Sequence, residues 1–378
     1  MPNSPHLYVD ISFHGFGHIA QTAPVLNALR QRIPGLHLTV CSAAPREFLE
    51  SLIQGHFEHV QQATDFGMRM ANAVDVLVQE SAQDYLKFHG DWERRVSRES
   101  AMLTHIAPDL VLSNVSYLAL AAAGKAGIPA VGMCSLNWAD IAWPYIGAIA
   151  GTAEVHEQML DAYSSAACFI KLQPSMPMPA LQNAREVGPV ARMGANRRKE
   201  INTLLGLEPG QKLVLVGMGG IQMRLPMEQW PSIPGVHWVV QDSWRVNHPD
   251  VIEMGTLGMH YSDLLRSCDA LITKPGYGSF TEAAVNGTPL LYLLRHDWPK
   301  EPYLVDWLKQ NGQCLEVRRE QLEHGDLGES LSTLWNLPTA TPVMPIGIKQ
   351  AADVIEHYLL RREVAGTPRL QPKDTVKT

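Results

Sequence analysis

Two series of short apolar runs, each broken by segments of helical spacing, decide what this chain can fold into. The first series lies at 7–13, 36–41, 108–114 and 128–134, and the second at 212–216, 236–240, 270–274 and 289–293. Strand-length apolar runs that alternate with helices imply a parallel sheet with helices on both faces. The series restarts once, so two such units are expected. After the first run, Ile19, Ala23, Leu26 and Leu29 keep helical spacing. Further helical segments are expected at 75–107, 118–127, 200–205 and 347–362, and a mobile polar tail at 363–378.

A length of 378 residues suits two domains of ordinary size. The segment Pro174-Ser175-Met176-Pro177-Met178-Pro179 cannot form an interior helix. It places the boundary near 175–195, with divisions at 1–180, 181–346, 347–362 and 363–378. Hydrophobic residues at 46% and charged residues at 18% allow a large core. A net charge of -7 argues against a nucleic-acid partner, which needs a basic surface. Five scattered cysteines read as buried free thiols rather than a metal or disulfide framework. The start lacks a secretory pattern, and no apolar stretch reaches the ~20 residues of a membrane span, so a cytoplasmic protein is expected.

Two doubly wound units put ligands at the carboxyl ends of their strands. Three glycine turns fall there. Lys274-Pro275-Gly276-Tyr277-Gly278-Ser279-Phe280-Thr281-Glu282 follows a strand and opens a helix. Its glycines permit positive φ and close approach of a ligand, and free N–H groups at the helix start suit a diphosphate. Ser279 and Glu282 also have capping-box spacing, which would satisfy some of the same N–H groups. Gly217-Met218-Gly219-Gly220 is a second glycine turn at the same end of the same sheet.

The third turn is Phe13-His14-Gly15-Phe16-Gly17-His18. Two histidines are too few for a zinc site. His18 suits a general base by its ordinary pKa, or a histidine that only hydrogen-bonds near a helix start. Asn137-Trp138 opens an aromatic stretch that lines an acceptor pocket or packs two domains. Arg295-His296-Asp297-Trp298 with Glu301-Pro302 follows a strand and offers groups for sugar hydroxyls, or is a surface loop. There is no Asp-x-Asp for a carboxylate-bound metal.

Taken together, the Phe13–His18, 109–113, Asn137-Trp138, 177–179, 274–282 and 295–302 stretches resemble GT-B glycosyltransferases with a family 28-like C-terminal half. They are most similar to the glycosyltransferase-like N-terminal module of plant-type L-arabinokinases. The resemblance implies α/β architecture, with two Rossmann-like domains facing across a cleft. The first domain would hold the acceptor, and the second a nucleotide-diphosphate sugar. The helix at 347–362 would pack back on the first domain.

By that likeness Glu282 holds the nucleotide's ribose. Gly219, Gly220, Lys274, Gly276, Gly278 and Ser279 surround the diphosphate, and His18 is the base. His14, Gly17, Asn137, Trp138, His296, Asp297 and Glu301 fall on the acceptor or sugar side. The likeness implies a UDP-linked donor, no cofactor and no metal. Leu290 stands where a retaining enzyme's second acid would be, which implies inversion. Two rival readings are a sugar-nucleotide hydrolase or epimerase of this fold, and a non-catalytic sugar-nucleotide-binding module.

Overall fold

The computed structural model describes residues 4–71, 75–219, 224–294 and 298–361. The first sheet has seven strands: β1 (His6–Ile11), β2 (His37–Cys41), β3 (Glu58–Val60), β4 (Leu110–Asn114), β5 (Ala130–Cys134), β6 (Cys168–Leu172) and β7 (Ala184–Val187). The second has six: β8 (Lys212–Val216), β9 (Val236–Val240), β10 (Val251–Glu253), β11 (Ala270–Thr273), β12 (Leu290–Leu293) and β13 (Cys314–Val317). Their orders are β3-β2-β1-β4-β5-β6-β7 and β10-β9-β8-β11-β12-β13, with every pairing parallel.

Continuous apolar strands are what a two-sided burial demands, because successive side chains point to opposite faces. In β4, Val111 joins one core while Leu110 and Leu112 join the core on the other face. In β8, Val214 and Val216 face one core, and Leu213 and Leu215 the other. Each such side chain, when fully buried, contributes about 1.5–3 kcal/mol.

The helix Gly347–Leu360 returns to the first half. It buries Ala351, Ala352, Val354, Ile355 and Leu359 in the core shared by β1 and β2. Arg32, at the end of the helix Gly17–Arg32, pairs with Asp353 at 2.8 Å and Glu356 at 3.2 Å.

Several elements depart from the sequence expectations. β7 completes the first sheet beyond the division expected at 180, though still within the 175–195 boundary zone. The segment 75–107 is two helices, Val78–His89 and Trp92–Ile106, broken at Gly90. Strands β3, β6, β7, β10 and β13 carry little strand signal. β3 and β10 have three residues each, and β6 contains Lys171. The Lys171 ammonium escapes burial cost by donating to Pro177 O at 2.9 Å and pairing with Glu186 at 3.0 Å. The tail expected at 363–378 lies outside the described residues. Among the described residues no helix is long and apolar enough to cross a membrane.

Candidate active site

In each sheet the chain winds outward in both directions from two central strands, β1 with β4 and β8 with β11. At such a switch point the loops leave in opposite directions and open a crevice at the strands' carboxyl ends. Register sets the two central strands level: Ile11 lies beside Asn114, and Val216 beside Ile272. The loops from both halves line one cleft of about 610 Å³. His14, Gly17, His18 and Trp138 reach it from the first half. Gly219, Lys274, Gly276, Gly278, Ser279 and Glu282 reach it from the second.

The wall of the second half is mostly bare backbone. The helix Tyr277–Asn286 has Gly276 as its N-cap, with no side-chain cap. The capping box expected from Ser279 and Glu282 does not form. Pro275 ends the strand early, the helix starts at Tyr277, and both residues already lie within it. Among the described residues no side chain therefore caps the first-turn N–H groups, whose partial positive charge favours an anion.

Positive φ, one of the two uses expected of Gly276 and Gly278, is not what they supply. Gly276 has an extended backbone at φ -150 and Gly278 lies in the helix, so neither takes positive φ. A Cβ on Gly278 would meet nothing within 4 Å, and one on Gly276 nothing nearer than 3.9 Å. The protein's own packing does not require glycine at either place. What glycine provides there is open cleft beside the helix start. Gly219 differs, because its φ of +78 does favour glycine.

Lys274 lines the cleft and is buried, and Glu282 is half-buried at the wall. Its carboxyl is pushed up to about 7 by burial, against the pull of Arg192. Near neutral pH the group thus stands between its two states.

The wall of the first half is a packed side-chain network. His18 is the second residue of the helix Gly17–Arg32 and is buried. Its Nδ1 lies 2.9 Å from Asn114 Oδ1. The Asn114 NH2 donates to Thr22 Oγ1 at 2.9 Å, and to His18 O and Gln21 Oε1 at 3.3 Å each. That arrangement leaves the Asn114 carbonyl for His18, so Nδ1 carries the proton. The other ring nitrogen, Nε2, is then the free base. Burial pulls the His18 pKa down to about 3. The Asn114 hydrogen bond opposes this, while His14 and Lys300 add to it.

Trp138 packs against both histidines, with ring centroids 5.2 Å from His14 and 5.7 Å from His18. Its indole N–H donates to Asp65 Oδ2 at 2.8 Å, and Ser12 Oγ donates to Asp65 Oδ1 at 2.7 Å. Burial nevertheless raises the Asp65 carboxyl to about 6.

Not every expected site residue reaches the cleft wall. Asn137 is fully buried and caps the helix Trp138–Ile146, its Oδ1 accepting from Asp140 N at 2.7 Å. Glu301 is buried at the first position of the helix Glu301–Asn311. Gly220, His296 and Asp297 lie outside the described residues. Conversely, Asn114, Gln21, Asp65 and Lys300 belong to the site or its support but were not picked out from sequence. Asn114 ends a strand at a switch point, which is the one signal that would have found it.

Two parallel doubly wound sheets that open their carboxyl ends onto a common cleft define the GT-B fold, and this chain has it. No family model matches the chain. L-arabinokinase from Arabidopsis thaliana is 26% identical over 324 residues, covering 83% of this chain but only 30% of that protein. Among solved structures, the calicheamicin glycosyltransferase CalG4 aligns over 96% of this chain and 100% of its own, at TM-score 0.61 and 17% identity. UGT89C1 from Arabidopsis thaliana, complexed with UDP, aligns over 93% and 94% at TM-score 0.54 and 16% identity. A putative UDP-N-acetylglucosamine 2-epimerase from Listeria monocytogenes aligns over 95% and 98% at TM-score 0.51 and 13% identity.

Proposed function

We propose that this protein transfers a sugar from a nucleoside-diphosphate donor, UDP-linked, to an acceptor hydroxyl, with inversion and without a bound metal. One observation carries the reading. An uncapped helix N-terminus beside bare glycine backbone faces, across one cleft, a histidine whose Nδ1 is fixed as N–H. The first arrangement suits an anionic leaving group and the second a hydroxyl proton. The UDP-bound neighbour of the same fold supports the choice of nucleotide.

In this reading the diphosphate lies on the N–H groups at Tyr277, Gly278 and Ser279, with Lys274 and the Gly219 turn beside it. Glu282, as carboxylate, accepts from the ribose hydroxyls. The acceptor oxygen attacks the anomeric carbon as the bond to the diphosphate oxygen breaks. The pair of electrons leaves with the diphosphate, whose charge the helix N–H groups and the lysine stabilise. The proton passes from the acceptor to His18 Nε2.

Burial weakens His18 as a base, so in this reading the transfer is late. It occurs once bonding to the anomeric carbon has made the hydroxyl strongly acidic. The incoming diphosphate also offsets the positive charge that helps hold His18 low. Trp138 packs beside both histidines, and His18 is the buried one of the two.

Incubation with UDP-sugars and a panel of hydroxyl acceptors, followed by product analysis, tests the reading. Acceptor-dependent UDP release with a new glycoside is expected. Release of free sugar at the same rate without acceptor, or formation of an epimer, would replace transfer with one of the other reactions. The epimerase neighbour of the same fold makes that comparison necessary.

A further inference from the structure

Tyr277 belongs to the second half by sequence and to the first half by packing. It is the first residue of the helix Tyr277–Asn286, so its N–H is one of the first-turn donors at the cleft. Its side chain is buried in the core of the first half. That core also holds Ile19 and Ala23 from the helix that carries His18, Val187 from β7 and Ala351 from the returning helix. The phenol oxygen accepts from Val190 N at 2.9 Å and donates to Gln173 O at 3.1 Å. Gln173 follows β6 and Val190 lies just past β7, so the hydroxyl sits at the carboxyl ends of two paired strands of the first sheet. The Lys300 ammonium lies 5.2 Å over the same ring and donates to Ser135 Oγ of the first half at 2.6 Å.

The direction of both phenol bonds is forced, because a backbone N–H donates and a carbonyl oxygen accepts. The hydroxyl proton therefore goes to Gln173 O, and one oxygen joins main chain from two strand ends. The helix holds the crossing chain at its other end too. Asn286 Nδ2 donates to Arg192 O at 3.0 Å, and Asn286 Oδ1 accepts from Gly194 N at 2.8 Å. These bonds fasten the crossing chain to the second half, where Gly194 O also accepts from Arg266 at 2.9 Å. Tyr277 instead reaches past the crossing chain to the end of β6. The chain's return to the first half passes the same place, since Gly347 N donates to Pro189 O at 3.1 Å. Both covalent crossings thus converge beside the Tyr277 phenol, and turning of one half against the other is easiest about such a point.

We propose that Tyr277 is a positioning residue. Its side chain pegs the first turn of the anion-binding helix into the first half, and so sets how the N–H groups on one wall stand relative to His18 on the other. A displacement needs donor and acceptor held in one geometry, and a small error in that spacing costs turnover more than it costs the binding of either ligand. This kinetic consequence rests on the transfer reading above, but the peg itself does not.

The test is the distance between spin labels, one in each half of the full chain, by pulsed electron resonance. Gln54→Cys and Ser243→Cys place the labels at exposed sites near Leu52 and Gln241, which line the cleft from the two halves. A Cys314→Ser background removes the one native cysteine that is not buried. Wild type is expected to give a single narrow distance. Tyr277→Ala should give a wider distribution. Tyr277→Phe keeps the ring and loses the hydroxyl, so it should widen the distribution less, and it decides the matter if Tyr277→Ala does not fold. A wild-type distribution in a folded Tyr277→Ala protein, or in Tyr277→Phe where it stands in, would overturn the proposal.

Kinetics supply the second arm. In Tyr277→Phe, UDP affinity should stay within about threefold, because the helix N–H groups remain, while turnover should fall at least about tenfold. Equal losses of affinity and turnover would make Tyr277 a binding residue and overturn the positioning role. If wild type binds no UDP, the transfer reading fails, and the label distances alone decide this one.

Discussion

The two strand–turn–helix units that meet at the cleft share a backbone plan, each with glycines beside a helix start that no side chain among the described residues caps, and differ in the side chains that join it. After β11, the turn into the helix Tyr277–Asn286 offers backbone: two glycines, no side-chain cap and no need for glycine in the packing. After β1, the turn into the helix Gly17–Arg32 offers side chains: a buried histidine fixed through Asn114 and backed by Trp138. Bare N–H groups bind an anion at little cost in ordering. A base must instead be held in one tautomer, and that takes partners on every side but one. In the proposed reaction the two walls take unlike tasks, the one toward the leaving group and the other toward the acceptor proton.

His18→Ala sharpens the comparison most. It should lower turnover by about 10²–10⁴-fold, the range for loss of a positioned general base, and leave UDP affinity unchanged. Single-turnover product formation beside calorimetry checks it. Equal losses of binding and turnover would mean that the two walls do not have separate tasks.

Gly278→Ala probes the opposite wall. Its Cβ meets nothing in the protein, so the fold should gain about 0.5–1 kcal/mol from helix propensity. Nucleotide affinity should fall at least about tenfold, because the methyl group occupies the approach to the N–H groups. Thermal melts and titration on the same sample separate the two effects. A variant that is both more stable and fully competent to bind would break the account of that wall.

Glu282→Gln should weaken UDP by about tenfold, the loss of one charge-assisted contact. The pH dependence is the smallest effect. The Glu282 carboxyl is raised to about 7 in the folded protein, so the folded state holds its proton above the ordinary carboxyl range. Its contribution to stability is therefore lost as pH rises toward and through 7. Glu282→Gln should then stabilise the protein at pH 8, on the order of 1 kcal/mol, and change little at pH 5. Nucleotide affinity should move the other way, rising from pH 6 to pH 8 in wild type as the carboxylate forms. Melting curves and titrations at these pH values check both signs.

The sequence made the plan legible where chemistry is local. Apolar runs marked the central strands, and glycine turns marked the carboxyl ends that meet at the cleft. The edge strands stayed hidden because three-residue pairings such as β3 and β10 leave little periodicity to read. Ser279 and Glu282 had capping spacing, but Pro275 and the strand end moved the helix start to Tyr277, a tertiary choice that spacing does not encode. Asn137 looked like a pocket residue because it precedes Trp138, yet its amide is used as a helix cap. The surroundings of His18 were the least legible part. Asn114, Ser135 and Lys300 lie 96, 117 and 282 positions from it in sequence, and only the pairing of strands and the packing of two halves bring them together.

The most direct measurement is a calorimetric titration of UDP into wild type and Glu282→Gln in buffer with a chelator. The account predicts one site in wild type, retained without divalent metal and weakened in the variant. An absence of binding, a requirement for added metal, or equal affinity in both proteins would contradict it.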